Sequence, residues 1–235
     1  MRVVCFRYSG KYGHFLRAEA NANGITYPYP PRTALLGLIG AVLGLAKDVP
    51  QVRLADAKIA IGGPSPQRFW HKTNIRKDPP APLPFRVKAR DNGTSGEQRN
   101  FRFPMEWLFE PDYRVWVTLP GDDHAAFTDR LRERRWHFTP SLGLAFLFAE
   151  LEFVAEVEAE RLPDAVHQIV TLSPYPPERP PADSDLGLVS LRMPASVTAD
   201  RVFTHKAYWF EHQGRPFPVR TSDAWRCGHD TVVFL

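Results

Sequence analysis

Short stretches rich in alternating or β-branched apolar residues predict four β-strands in the first two thirds of the chain. Residues 2–8 combine valines with aromatic residues, and residues 113–119 give the clearest strand pattern of all. Residues 57–61 form a shorter pattern that ends at a Gly-Gly-Pro turn. Residues 149–158 alternate apolar with acidic side chains, which predicts a strand with one buried face.

A proline-rich segment leads into the first predicted helix. The prolines of residues 27–31 hold φ near the value that a first helical turn needs. An apolar stretch follows, and residues 47–50 end it. Gly37, Gly40 and Gly44 are three and four positions apart, so they share one helix face. Because each costs about 0.5–1 kcal/mol relative to alanine, we expect this face to lie close against a sheet or another backbone.

A second helix is predicted over residues 124–135. Phe127 and Leu131 are four positions apart on its apolar face, and Asp122 or Asp123 is the expected N-cap. The order is therefore strand, helix, strand, insertion, strand, helix, strand. This order predicts an α+β fold with a ferredoxin-like βαββαβ core.

The remaining residues differ in character. Residues 159–235 contain strand patterns separated by proline-rich links, and we interpret them as a small all-β region beside a core formed by residues 1–158. The strands expected there cover residues 165–172, 187–193, 201–210 and 231–235.

The insertion is predicted to be a long β-hairpin of about residues 66–104. Its centre, Asp-Asn-Gly-Thr-Ser-Gly at 91–96, is strong turn chemistry. Residues 85–90 and 97–103 flank this turn as the two expected arms.

Composition excludes several classes of function. The 235 residues include only two cysteines, which cannot build a disulfide framework or a four-ligand zinc site. Zinc spacings, Walker loops and dinucleotide fingerprints are missing from the sequence, so we expect no metal and no cofactor. The longest uncharged stretch, residues 33–46, is shorter than the roughly 20 residues of a membrane span. A signal-peptide pattern is also missing, and we expect a cytoplasmic protein with no membrane contact.

Charge is concentrated in the insertion. Residues 68–102 hold nine basic and three acidic residues, a net charge of +6, whereas the whole chain carries +4. The basic residues are Arg68, Lys72, Arg76, Lys77, Arg86, Lys88, Arg90, Arg99 and Arg102. They alternate with aromatic residues such as Trp70 and His71, a mixture typical of single-stranded nucleic-acid binding. The alternative is a solvated hairpin whose aromatic residues pack on the core.

Two other sets are candidates for phosphate contact. Arg32 and Thr33 lie in the first turn of the proline-led helix, where unpaired N–H groups favour an anion. Alternatively, Thr33 only caps the helix and Arg32 is solvated. His71 and Lys72, with Tyr27 or Tyr29, could instead form a metal-independent ribonuclease set, in which histidine moves a proton and lysine stabilises the phosphorane.

The proline-led helix resembles the N-terminal signature of the CRISPR-associated Cas-five family. The resemblance rests on Pro-Pro-Arg-Thr-Ala-Leu-Leu-Gly-Leu-Ile-Gly-Ala-Val-Leu-Gly at 30–44, on Gly10, Tyr12, His14 and Phe15, and on Phe-Thr-Pro-Ser-Leu-Gly at 138–143. It covers roughly the first 150 residues, and the pattern is most similar to the type I-B branch.

This resemblance implies an RNA-binding subunit of the Cascade surveillance complex in antiviral defence. The family has a ferredoxin-like (RRM-like) core with a hairpin "thumb" and a smaller C-terminal β region. It holds the 5′ handle of the crRNA, contacts the Cas-seven backbone subunit and the Cas-eight large subunit, and meets target DNA through the assembled complex.

One branch, type I-C, cleaves the guide precursor, but His71, Lys72 and Tyr27 do not align onto its catalytic set. We therefore expect no nuclease activity and assign no catalytic residue, with a metal-independent endoribonuclease or a protein-only scaffold as alternatives. The expected RNA contacts are Lys11, Tyr12, His14, Arg17, Arg32, Thr33, Arg68, Trp70, His71, Lys72, Arg76, Arg86, Lys88, Arg90, Arg99 and Arg102.

Overall fold

The computed structural model describes residues 1–20, 23–76, 100–174 and 185–235. Within these ranges the chain is mostly β-strand with few helices, a mixed architecture as predicted. None of the helices in the described ranges has the length and apolar character needed to cross a membrane. The predicted arm at 85–90, with Arg86, Lys88 and Arg90, and also Lys77 and Arg99, lies outside the described residues.

The described residues of the first half of the chain form three helices and eight strands. They are β1 (Arg2–Ser9), β2 (Tyr12–Gly13), β3 (Phe15–Leu16), β4 (Thr26–Tyr27), α1 (Arg32–Leu43), α2 (Val49–Arg53), β5 (Lys58–Gly62), β6 (Gln67–Arg76), β7 (Asn100–Phe109), β8 (Asp112–Thr118) and α3 (Asp123–Glu133).

The regular elements of the second half, outside residues 175–184, are all strands. They are β9 (Glu150–Arg161), β10 (Ala165–Ile169), β11 (Ser173–Pro174), β12 (Leu188–Val197), β13 (Phe203–Glu211), β14 (Phe217–Thr221), β15 (Ala224–Cys227) and β16 (Asp230–Val233).

A six-stranded sheet forms the centre, in the order β16-β15-β9-β1-β8-β5. Every pair within it is antiparallel. Alternate residues of β1 serve two cores: Val4, Phe6 and Tyr8 pack on the side of the helices, whereas Val3 and Cys5 pack on the opposite side. The four strands predicted by the apolar patterns are all confirmed, with ends shifted by up to three residues.

Helix α1 begins as the prolines predict. Pro31 is the N-cap residue, with an extended backbone at φ −58° and ψ 155°, and the helix ends before Gly44, which is left-handed at φ +81°. Buried side chains such as Leu35 and Ile39 join the main core.

The expectation that a sheet or another backbone lies close to the glycine face of α1 is wrong, because the nearest atoms belong to side chains. A Cβ at Gly40 would lie 2.1 Å from the Pro50 ring of α2, and one at Gly44 would meet His137. At Gly37 no atom would come within 4 Å. The close neighbours of this face are therefore His137 and the short helix α2, and the sequence analysis missed α2 because it took Pro50 as a stop signal.

Helix α3 packs Phe127 edge-on against Phe6, with ring centroids 5.7 Å apart. Asp122 is the N-cap residue but makes no side-chain capping bond. Asp123 instead accepts two hydrogen bonds from Arg53 of α2, at 2.8 and 2.9 Å. The three helices are thus tied to one another on one side of the sheet.

The C-terminal strands contribute to the main sheet and to its core. β15 pairs with β9, and β16 pairs with β15 at the sheet edge. Residues of β12 and β13 such as Met193 and Tyr208 belong to the same buried cluster as Phe6. The domain boundary predicted after residue 158 falls within β9, and the division into two domains stays a prediction. Strands β14 and β15 were not predicted.

The inserted hairpin differs in extent from the predicted one. Its described arms are β6 and β7, which pair antiparallel from Gln67 opposite Phe109 to Arg76 opposite Asn100. The second arm was predicted to end at residue 103 but continues to Phe109, and its last part also pairs with β2. These strands form a separate sheet in the order β2-β7-β6.

Candidate nucleic-acid interface

The pairing of β6 with β7 divides their side chains between two faces. Directly opposed residues of an antiparallel pair lie on the same face, and neighbours along a strand lie on opposite faces. Arg68 opposes Leu108, Trp70 opposes Glu106, and Lys72 opposes Pro104. We call the side with Arg68, Trp70, Lys72 and Arg102 the basic face. We call the other side, with Tyr12, Phe69, His71, Trp107 and Phe109, the aromatic face.

The basic face presents cations around an exposed indole. Arg68 lies 3.5 Å from a carboxylate oxygen of Glu106, whose other oxygen accepts a hydrogen bond from the Thr26 N–H at 3.1 Å. Lys72 and Arg102 are exposed, and within the described ranges no carboxylate lies within ion-pair distance of either. Trp70 stands among these groups with 55% of its surface exposed. The face can therefore attract phosphates and offer a flat ring to a base.

The aromatic face is a cluster of rings in mutual contact. The Tyr12 ring centroid lies 5.5 Å from that of Trp107 and 5.9 Å from that of Phe69, and His71 lies 5.4 Å from Trp107. Most of these pairs meet edge to face, an arrangement that aromatic rings favour. The rings thus stiffen the base of the hairpin.

The residues of the possible ribonuclease set do not converge. His71 and Lys72 are neighbours on β6 and project to opposite faces. Tyr27 and Tyr29 are buried, and the Tyr29 hydroxyl donates to the Gly63 carbonyl at 2.8 Å. A histidine and a lysine that act on one phosphate must face it together, and here the two side chains point away from each other.

The segment before β4 supplies candidates with different environments. Lys11 is exposed, with its ammonium 5.7 Å from the Tyr12 ring. His14 is buried, and its Nδ1–H donates to the Glu106 carbonyl at 2.7 Å. Burial lowers the pKa of His14 below its usual value, so the ring is neutral. Arg17 lies over the Tyr27 ring at 5.4 Å and 3.6 Å from Glu19.

The expected role of Arg32 in RNA binding does not match its contacts. Its guanidinium donates to the carbonyls of Ala55 at 2.6 Å, Ala57 at 2.8 Å and Ala195 at 3.5 Å. Burial lowers its pKa from a very high value, and the group stays charged. Arg32 therefore joins α1 to the approach to β5 and to β12. Thr33 is half-buried, and its carbonyl accepts a bond from Gln51 at 2.9 Å.

The last of the expected contacts lie at or beyond the limit of the described hairpin. Arg76 is the final residue of β6, and its backbone is opposite Asn100. Arg86, Lys88, Arg90 and Arg99 fall within residues 77–99, outside the described ranges.

The sequence matches a known protein family over most of its length. The model described as "CRISPR-associated protein (Cas_Cas5)" matches residues 3–212. The chain belongs to the CRISPR-associated Cas-five family. The resemblance found in the sequence is thereby confirmed, whereas the assignment to the type I-B branch stays a prediction.

Solved structures agree with this membership at the level of the fold. A chain of a "CRISPR RNA-guided surveillance complex" has a TM-score of 0.57 and 19% identity, and the match covers 92% of this chain and 91% of that one. A "CRISPR protein from Archaeoglobus fulgidus" has a TM-score of 0.58 and 14% identity, with 99% and 98% covered. No curated protein matches the chain.

The segments that carry the Cas-five resemblance meet in space. The His14 N–H donates to the Leu142 carbonyl at 2.9 Å, and the Phe138 N–H donates to Ala41 at the end of α1 at 3.0 Å. Gly143 has φ +93°, and a Cβ there would lie 1.9 Å from the His14 carbonyl. Only glycine suits such a backbone and such a close approach. The signature residues of this Cas-five protein thus pack against one another, although they come from separate parts of the sequence.

Sequence reasoning missed two of the five residues that form the aromatic face. Trp107 and Phe109 were not singled out, because the second arm was ended at residue 103. The signal was present as a period of two at Phe101, Phe103, Met105, Trp107 and Phe109. Phe146 reaches the same cluster from the loop before β9, with its ring 6.3 Å from that of Trp107, and local periodicity gives no sign of that contact.

Proposed function

We propose that this Cas-five protein is a non-catalytic RNA-binding subunit of a type I Cascade surveillance complex and holds the 5′ handle of the crRNA. The observation that carries the proposal is the basic face, where Arg68, Lys72 and Arg102 surround the exposed ring of Trp70. Family membership supports a place in a CRISPR effector complex, as does the surveillance-complex title of a similar structure. The proposed neighbours are the Cas-seven and Cas-eight subunits, with target DNA reached through the complex.

The order of the central strands supports a ferredoxin-like, RRM-like core. Strands β9, β1, β8 and β5 lie side by side in that order and are antiparallel, and α1 and α3 follow β1 and β8 along the chain. This is the arrangement expected of a βαββαβ unit. Folds of this kind bind single-stranded RNA through stacking and backbone contacts. The β6–β7 hairpin then corresponds to the proposed thumb, inserted between the second and third core strands.

Strand geometry explains how the basic face would follow a single strand. Side chains at alternate positions of a strand are about 6.5–7 Å apart. Arg68, Trp70 and Lys72 occupy three such positions in succession. A cation, a ring and a second cation therefore line up along β6, so two phosphates can be held while the base between them stacks on the indole.

Salt dependence of binding tests the proposal. The variant Arg68→Glu/Lys72→Glu/Arg102→Glu would be compared with the native protein in equilibrium binding of single-stranded repeat RNA over a range of salt concentrations. Each lost phosphate contact removes about 0.7 from the slope of log affinity against log salt, so we expect the slope to fall by about 2 in magnitude. The matched control reverses three exposed arginines of the C-terminal strands, Arg192, Arg220 and Arg226. Equal effects of the two triple variants would contradict a role for the basic face.

The absence of nuclease activity is proposed together with RNA binding. Repeat RNA incubated with the pure protein and no metal should stay intact, because His71 and Lys72 face opposite sides of β6. Cleavage at a fixed position that disappears in His71→Ala would contradict this part of the proposal.

A further inference from the structure

The aromatic face remains partly open to solvent. Phe69 is 37% exposed and Phe109 is 38% exposed, while Phe146 at the margin is 57% exposed. Their rings are in contact with those of Tyr12 and Trp107 rather than scattered. Exposed apolar residues are common singly, but a contiguous cluster of this kind marks a binding surface.

Charge around this face favours a polyanion that presents flat, uncharged groups. The described side chains that form it include no carboxylate, and His71 is its one ionisable group besides the Tyr12 phenol. Lys11 supplies a cation at the margin, 5.7 Å from the Tyr12 ring. The Trp107 indole N–H is buried, with no hydrogen-bond partner among the described residues. An unpaired buried donor costs about 1–3 kcal/mol, and a base carbonyl is an acceptor that could satisfy it after a small shift of the rings.

The edge of the hairpin connects the two faces. In the described part of its sheet, β6 is the outer strand, with β7 on its inner side. Phe69 and His71 therefore alternate with Arg68, Trp70 and Lys72 around one strand edge. An RNA strand that lies along this edge can place phosphates on the basic face while the next bases turn onto the aromatic face.

We propose that the aromatic face is a stacking site for unpaired bases of single-stranded RNA. Phe69 and Phe109 form its exposed platform, and Tyr12 and Trp107 support that platform from beneath. This inference rests on the proposed function, since it assigns a second surface to the same ligand. It differs in physical character, because stacking depends on the bases and little on salt, whereas the three cations of the basic face bind phosphates and make affinity salt-dependent.

The decisive experiment compares two RNAs with the same number of phosphates. One is a mixed-sequence single-stranded RNA, and the other is the same ribose-phosphate chain without bases. Base–aromatic stacking contributes roughly 5- to 150-fold in affinity per base. We expect the native protein to bind the abasic chain at least about 10-fold more weakly. In a Trp70→Ala background, which removes stacking on the basic face, the double variant Phe69→Ala/Phe109→Ala should lose most of this difference while it keeps the native salt slope.

Two controls keep the result specific. Phe148→Ala removes a ring that is 67% exposed but has no ring contact with the aromatic face among the described residues, and it should bind both RNAs like the native protein. The double variant Phe69→Trp/Phe109→Trp keeps flat rings and should restore discrimination between the RNAs. Circular dichroism of each variant should match the native spectrum, because Phe69 and Phe109 are exposed at the hairpin base.

The outcomes separate this inference from the proposed function. If the native protein binds both RNAs equally and with strong salt dependence, the basic face binds RNA and the aromatic face is not a base site. If Phe69→Ala/Phe109→Ala retains full discrimination, the bases stack elsewhere and the inference is again overturned. If the native protein binds neither RNA, the proposed function itself fails.

Discussion

Replacing Arg32 by alanine should destabilise the protein and leave its RNA affinity unchanged. The guanidinium of Arg32 bonds three carbonyls that belong to distant parts of the chain, Ala55, Ala57 and Ala195. These bonds hold the first turn of α1 against the segment before β5 and against β12. Loss of the side chain would remove the hydrogen bonds that join α1 to the segment before β5 and to β12.

The expected loss can be worked out from the three bonds. Hydrogen bonds that involve a charged group contribute about 1.5–3 kcal/mol each. The bond to Ala57 at 2.8 Å is partly buried and counts in full, whereas the one to Ala55 is exposed and the one to Ala195 is long at 3.5 Å. We therefore expect the free energy of unfolding to fall by about 2–4 kcal/mol. For a chain of this size each kcal/mol lowers Tm by about 2–4 °C, which gives a shift of roughly 5–15 °C.

Thermal unfolding and RNA binding, measured on the same preparations, give the answer. Arg32→Lys should lie between the native protein and Arg32→Ala, since one ammonium cannot match the fork of a guanidinium. Arg135→Ala is the matched control, because this side chain is 70% exposed and its ion-pair partner among the described residues is Glu133 at the end of α3. A surface pair of that kind contributes about 0–1 kcal/mol.

The opposite pattern would refute the reasoning. If Arg32→Ala melted like the native protein while its RNA affinity fell 10-fold or more, Arg32 would be a ligand-binding residue. The original expectation from its place in the first helical turn would then be correct, and the three carbonyl contacts would be of no energetic importance.

Three further predictions concern helix α1 and buried side chains. Gly37→Ala should raise the free energy of unfolding by about 0.5–1 kcal/mol. Gly40→Ala should lower it by about 1–3 kcal/mol, because its Cβ would meet a proline ring of α2 at 2.1 Å. Urea unfolding of the two variants checks both signs. Burial lowers the pKa of His14 from 6.5, so the unfolded chain takes up the proton first as the pH falls, and stability should drop from about pH 6.5 downward. In urea unfolding, the loss of stability between pH 7 and pH 5 should be smaller for His14→Asn than for the native protein. Burial also raises the pKa of Cys5 to about 12 and of Cys227 to about 11, so a thiol reagent at pH 8 should modify neither until the protein unfolds, and fast labelling of the native protein would contradict their burial.

Local patterns predicted the main elements, because the alternation of apolar and polar residues over a few positions indicates which side of a strand or helix is buried. The strand at Asp112–Thr118 and the helix at Asp123–Glu133 were predicted within two residues of their ends. Proline chemistry placed the start of the first helix at Arg32. Each of these signals depends on residues a few positions apart, and tertiary contacts did not override them.

The candidate site was only partly predictable, because its faces depend on register and distant contacts. Charge and aromatic content indicated that the segment beginning at Arg68 binds RNA. They did not indicate which of its side chains lie on the same face of the hairpin. The carbonyls that engage Arg32 lie up to 163 positions away along the chain, and no local pattern reports such a contact. Pro50 was taken as a helix end, although proline also suits a first helical turn.

Because β1 lies inside the central sheet, it stays unpaired during synthesis until its partner strands have been made. This strand leaves the ribosome before its partners, because β8 begins at Asp112 and β9 begins at Glu150. The sheet is completed only when β16 arrives at Asp230–Val233. Until β8 has been made, the nascent chain carries an apolar strand with two unpaired edges, a state that is prone to aggregation. Because contacts of such long sequence separation also slow folding, the yield of folded protein should depend on how slowly the chain is made.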